Sequence, residues 1–130
     1  MSPEALKKAG RPRVPAELHH LQLLHDRDPD ASWSVWRDEH GPENLDVRKG
    51  PRFSSSDLIL RVAAQGLGVA LARHRLVADD LEAGVLIRPF GAGSVAIDGA
   101  YWIVTRPAEP RREVTVLIIA WLLQSAGRQR

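Results

Sequence analysis

Three serines and an aspartate, Ser54-Ser55-Ser56-Asp57, stand where an extended stretch, Arg52 to Ser54, gives way to an amphipathic one. Backbone N–H groups at a helix start lack intrahelical partners. Together with serine hydroxyls they can hold a carboxylate or a phosphate. The same residues also suit plain helix capping, and on the residues alone both readings stand. Asp57 lies inside the first turn and takes up part of the positive helix end, which weighs against a strongly anionic ligand.

Other constellations fall short of a chemistry. Gly66-Leu67-Gly68 has half the look of a dinucleotide fingerprint, but it closes a helix and opens a strand, whereas phosphate loops do the reverse. His19, His20 and His25 have no acidic or thiol partners at ligand spacing, and HExxH is absent, so no metal site is expected. Trp33 and Trp36, at i and i+3, read as packing residues rather than a stacking platform. There is no GxSxG nucleophile elbow. The chain contains no cysteine, which removes disulfides and thiolate ligands. No enzyme and no cofactor are expected.

The elements that must position the serines follow from periodicity. Ser2, Pro3 and Glu4 open a short capped helix that Gly10 stops. Pro15 to His20 reads as a turn, Leu21 to His25 as a strand, and Ser32 as the cap of a helix from Trp33 to His40. From Ser56 to Gln65, Leu58, Ile59, Val62 and Ala63 form one helical face. Val69 to Ala72 is a continuous apolar strand, as in a sheet covered on both faces. Arg73 to Glu82 predicts one or two helical turns, and Val85 to Arg88 and Tyr101 to Thr105 predict strands. Pro107 and Pro110 bracket a loop before the strongest helix, Arg112 to Ser125. Its residues Val114, Leu117, Ile118, Trp121 and Leu122 form an apolar stripe, which Val116, Ile119, Ala120 and Leu123 broaden. Such a helix expects neighbours on more than one side. Strands alternating with helices point to an α/β layer around a largely parallel sheet.

At 130 residues, 44% of them hydrophobic, the chain is sized for one globular domain, or one domain with an appendage. Its net charge of +2 sits entirely in the last 24 residues, which carry four basic and two acidic side chains. That describes a basic tail and not a nucleic-acid-binding face. No apolar run reaches the roughly 18 residues of a membrane span, and Met1 to Val14 lacks a signal-peptide core. A cytoplasmic protein without membrane association is the expectation.

The run PRFSSSDLILRVAAQGLGVALARHRLVADDLEAGVLIRPF, residues 51–90, resembles the effector-binding domain of LysR-type transcriptional regulators, nearest to the glycine-cleavage-activator-like branch. The likeness continues in AYWIVTRP and the AWLL of the closing helix, and upstream in SPEALKKAGRPRVPAELHHLQLLHD. Ser55 stands where that branch is expected to carry an acidic residue. The resemblance implies a type 2 periplasmic-binding-protein-like α/β fold, mainly the second subdomain. Residues 1–106 would form that subdomain with its crossover strands. Residues 107–130 would be the closing helix of the first subdomain and a basic tail. The rest of the first subdomain and the helix-turn-helix domain would lie outside this chain, so DNA would be reached only through that separate domain.

By the same resemblance Ser54, Ser55, Ser56, Gly68, Val69 and Ala70 would line the effector cleft, with a carboxylate among the candidate small-molecule effectors. The expected function is effector sensing for a transcriptional regulator. The alternative is an interaction protein that docks on a full-length regulator through Val114, Leu117, Ile118, Trp121 and Leu122. The expected protein partner is another copy of the chain or a full-length regulator.

Overall fold

The computed structural model describes residues 1–28, 32–91, 93–97, 101–106 and 112–127. The chain divides into two compact units, Met1–Ile97 and Asp98–Arg130. The expected loop bracketed by Pro107 and Pro110, and the tail at 128–130, lie outside the described residues.

The first unit is organised around strand β1, Leu23–Asp26, the middle of a parallel sheet. Helix α1, Pro3–Lys8, precedes it, and Ser2 Oγ accepts the Ala5 N–H at 3.2 Å as the helix cap. Pro15–His20 forms a 3-10 helix, whose last turn takes the Leu21 N–H onto Leu18 O at 2.9 Å. That bond withholds Leu21 from the ladder, so the strand starts two residues later than the periodicity predicts. Helix α2, Trp33–His40, is capped by Ser32 as expected.

Strand β2, Arg52–Phe53, leads directly into helix α3, Ser56–Ala64, and strand β3, Val69–Ala70, leads through 71–73 into α4, His74–Glu82. The strand order is β2-β1-β3. Register pairs His25 with Arg52 and Asp26 with Phe53 on one side, and Leu23 with Val69 and Leu24 with Ala70 on the other.

Successive strand residues face opposite sides of a sheet, and β1 sorts its two leucines accordingly. Leu23 joins Met1, Ala5, Leu18, Trp33, Trp36, Leu45 and Val69 in one core. Leu24 joins Ile59, Leu60, Ala63 and Leu86 in the other. A continuous apolar pair is therefore needed, because both faces are covered. The buried face of α3 is Ile59, Leu60 and Ala63; Leu58, expected inside, is 45% exposed. The buried face is shifted by about one position relative to the sequence-derived face, and its residues Ile59, Leu60 and Ala63 share one core with Leu24 and Leu86.

Two expected strands are corrected. Val85 to Arg88 carries no strand: Leu86 N–H folds back onto Asp80 O at 3.1 Å, leaving Ile87 to pair with Met1 alone. That pairing is two-sided, with Ile87 N–H on Met1 O at 2.8 Å and the Met1 amine on Ile87 O at 3.2 Å. Tyr101 to Thr105 likewise carries no strand. An apolar run becomes a strand only where a sheet edge accepts its backbone groups, and no strand is found among the described residues of its own unit. The main element there is helix α5, Glu113–Gly127.

Candidate functional site

In a parallel sheet all strands end at one edge, and α/β proteins bind ligands at the carboxyl ends of such strands. Here that edge is formed by the residues that follow Asp26, Phe53 and Ala70. The serine run lies on it, because β2 ends one residue before Ser54. Ser54 and Ser55 are exposed and Ser56 is half-buried. Ser55 is the N-cap residue of α3, yet its hydroxyl makes no capping bond to the helix. This separates it from Ser2 and Ser32, which both cap.

The structure ties this edge together through three residues that sequence reasoning missed. Ser56 Oγ donates to Asp26 Oδ2 at 2.5 Å, locking the first residue of α3 to the last of β1. Asp26 Oδ1 accepts the Asp28 N–H at 3.1 Å, and Arg27 N–H continues the strand pairing onto Phe53 O at 3.1 Å. Two residues past β1, Asp28 Oδ2 receives both Nε (3.0 Å) and Nη2 (2.5 Å) of Arg73, the N-cap residue of α4. Both partners of this ion pair are largely withdrawn from solvent, where a charge-assisted bond is stronger than at the surface. The sequence signal was present, an Asp-x-Asp at a strand end and an arginine just past a second strand. Its meaning depends on which strands are neighbours.

The remaining expected site residues are placed differently. Gly68 precedes β3, at the amino end of that strand. A Cβ there would come within 2.5 Å of Gln22 O and 2.8 Å of Leu24 Cγ, so the glycine lets β3 approach β1. Val69 is buried in the core with Leu23, and Ala70 is half-buried beside the second core. Gly66, at φ +80°, ends α3 as the sequence suggests. Of the histidines, His25 is buried with Nε2 at 2.8 Å from Lys49 O, while the exposed His19 and His20 rings meet at a tilt of 53°. No group of three potential metal ligands occurs among the described residues.

In the second unit, Val114, Leu117, Ile118, Trp121 and Leu122 of α5 are all exposed, as are Val116 and Leu123. No helix among the described residues is long and apolar enough to cross a membrane.

Comparison with known proteins agrees with this architecture. The family model described as "LysR substrate binding domain" matches residues 1–127. The HTH-type transcriptional regulator DsdC of Escherichia coli K12 is 34% identical over 127 residues, covering 93% of this chain and 40% of the relative. The glycine cleavage system transcriptional activator of the same organism is 29% identical over 118 residues, covering 91% and 38%. Among solved structures, the effector domain of the transcriptional regulator AmpR of Pseudomonas aeruginosa superposes with a TM-score of 0.79 at 29% identity. The match covers 98% of this chain and 60% of that one. The α/β fold is thus that of a LysR effector domain, of the type 2 periplasmic-binding-protein-like class. The chain spans well under half the length of the curated relatives it matches.

Proposed function

The chain belongs to the LysR substrate-binding domain family, and from that premise we propose that it senses a small-molecule effector, one bearing a carboxylate, at the carboxyl edge of its sheet. The observation that carries this reading is the start of α3, where Ser55 occupies the cap position with its hydroxyl uncommitted to the helix. Ser54 and Ser55 hydroxyls, with the free N–H groups of the first turn, form a donor set for a carboxylate. The Ser56–Asp26 and Asp28–Arg73 bonds hold the surrounding edge rigid.

The relatives carry names of transcriptional regulators, so the sensing is assigned to transcription control in the cytoplasm and no catalytic step is assigned. Contact with DNA is assigned to a helix-turn-helix domain separate from these residues. The protein works as an oligomer, with copies of itself or with a full-length regulator.

The test is a chemical-shift titration of the ¹⁵N-labelled chain with small carboxylates. Shifts should centre on residues 54–57 and disappear in the Ser55→Ala/Ser56→Ala double variant. Shifts confined to His19, His20 and His25, or unchanged in the double variant, would defeat the placement.

A second reading is favoured by α5, whose apolar side chains surround the helix and are mostly exposed. Each large apolar side chain brought out of water contributes roughly 1.5–3 kcal/mol, so a helix of this kind recruits a partner. On this reading the chain docks on a full-length regulator, or on its own copy, through Val114, Leu117, Ile118, Trp121 and Leu122. Sedimentation should show self-association that Trp121→Asp moves towards monomer. A wild-type chain that stays monomeric and fails to bind a full-length relative would remove this reading and leave the sensing site untouched.

A further inference from the structure

We propose that the cationic loop after α1 is a docking surface for the acidic end of α4 on a second copy of the chain. The proposal rests on the oligomer reading above and names a surface for it that is separate from α5.

Lys7, Lys8, Arg11 and Arg13 are all exposed, and no acidic residue stands between them. Lys8 is paired with Glu4 at 2.8 Å, while Lys7, Arg11 and Arg13 form no ion pair among the described residues. Glu17, the next acid along the chain, is engaged by the backbone. Its Oε2 accepts the Arg13 N–H at 2.7 Å and the Val14 N–H at 3.1 Å. The loop is also fixed. Gly10 and Arg11 have φ of +80° and +58°, the Arg11 N–H closes onto Leu6 O at 2.8 Å, and Pro12 is buried. A non-glycine residue is disfavoured in the left-handed region, so the surrounding structure must hold Arg11 there. Cations presented on a fixed backbone lose less freedom when they meet a partner.

The matching chemistry is on α4. Asp79, Asp80 and Glu82 crowd the negative end of the helix dipole, and its last turn holds no basic residue to balance them. None of the three forms an ion pair among the described residues. Like charges held this close are relieved by cations brought from outside. The loop of the same copy is not joined to them by any ion pair among the described residues, so the fit is to another copy. Apolar surface matches as well. Val14, next to Arg13, and Leu76, one helical turn before Asp79 and Asp80, are each about half exposed. A nucleic-acid backbone would meet the cations but leave Val14 uncovered.

The test uses the full chain carrying Trp121→Asp, which removes association through α5. Sedimentation at low salt should show self-association that weakens about tenfold or more by about 300 mM salt. Two charge reversals on exposed residues follow, Lys7→Glu/Arg11→Glu on the loop and Asp79→Lys/Glu82→Lys on α4. Each alone should abolish the association, because loop and helix then carry the same sign. An equimolar mixture of the two should restore it, because each copy carries the charge that the other now lacks. Recovery in the mixture also shows that both variants are folded. No self-association of the Trp121→Asp chain at low salt, or association that survives either reversal, overturns the proposal. Reversed variants that stay monomeric when mixed overturn it too. So does a monomeric chain whose Lys7 and Arg11 bind a short DNA duplex, which would assign the loop to nucleic acid. The α5 contact is read separately in the wild-type chain, as association that salt does not screen.

Discussion

Helices α3 and α5 are both apolar, and they meet opposite fates. In α3 most apolar residues gather on one side, where Ile59, Leu60 and Ala63 are buried, while the exposed surface carries Leu58 and the Asp57–Arg61 pair. In α5 the apolar residues run round the helix, and from Val114 to Leu123 most are exposed. The first helix is matched to a surface that its own unit supplies. The second carries more apolar surface than its unit covers. Amphipathicity thus reports the number of faces a helix must satisfy, and α5 reports more than the described chain provides.

The largest expected effect separates the two directly. Ile59→Ala removes a fully buried side chain next to Leu24, and should cost about 2–5 kcal/mol in denaturant unfolding. Leu117→Ala, on the exposed α5, should change stability by about 0.5 kcal/mol or less at low protein concentration. If the Leu117 variant loses as much as the Ile59 variant, α5 is buried in solution. A loss that grows with concentration would identify a second copy as its cover.

Much of the first unit was legible because its signals are local. Ser2 and Ser32 cap the helices they precede, and Gly66 closes α3. Of the apolar run Val69 to Ala72, read as a buried strand, the first two residues form β3 and the last two do not. Illegible features depend on partners far along the chain. Asp28 and Arg73 lie 45 residues apart, and Ser56 and Asp26 lie 30 apart. Only the order β2-β1-β3 brings these pairs to one edge. The same dependence explains Tyr101 to Thr105, whose composition suits a strand but whose unit supplies no sheet among its described residues. Ser55 is the intermediate case. Its position at a helix start was readable, but whether its hydroxyl caps or stays uncommitted was a matter of geometry.

A second effect tests how tightly the first unit is closed at Met1. Its side chain is buried, and burial lowers its amine from the usual 8.0 to about 6. The folded state therefore holds this amine neutral at pH values where the unfolded chain protonates it. In a polypeptide whose first residue is Met1, this contribution to stability is complete above pH 8, falls between pH 8 and 6, and is gone below 6. Two pH units correspond to about 2–3 kcal/mol. The unfolding midpoint should rise from pH 6 to pH 8, and an N-terminally acetylated chain should lose that slope. A slope unchanged by acetylation would mean that Met1 is open to water and that the first unit resembles the second in leaving apolar surface uncovered.

The smallest effect compares helix starts within the first unit. Ser2 Oγ accepts the Ala5 N–H and is buried, so Ser2→Ala removes a working cap and should cost about 1 kcal/mol. Ser55 holds the equivalent position at α3 without a capping bond, so Ser55→Ala should cost no more than a few tenths of a kcal/mol. Thermal unfolding of the two variants side by side measures the difference. If Ser55→Ala proves as costly as Ser2→Ala, the hydroxyl is capping in solution, and the donor set for a carboxylate shrinks to Ser54 and the backbone. If it is nearly silent in stability yet weakens the response of residues 54–57 to small carboxylates, the serine is held back from the helix and kept available to the ligand. A helix start that leaves its cap hydroxyl unused forgoes about 1 kcal/mol of local stability, and a carboxylate that accepts the first-turn N–H groups would recover part of it on binding.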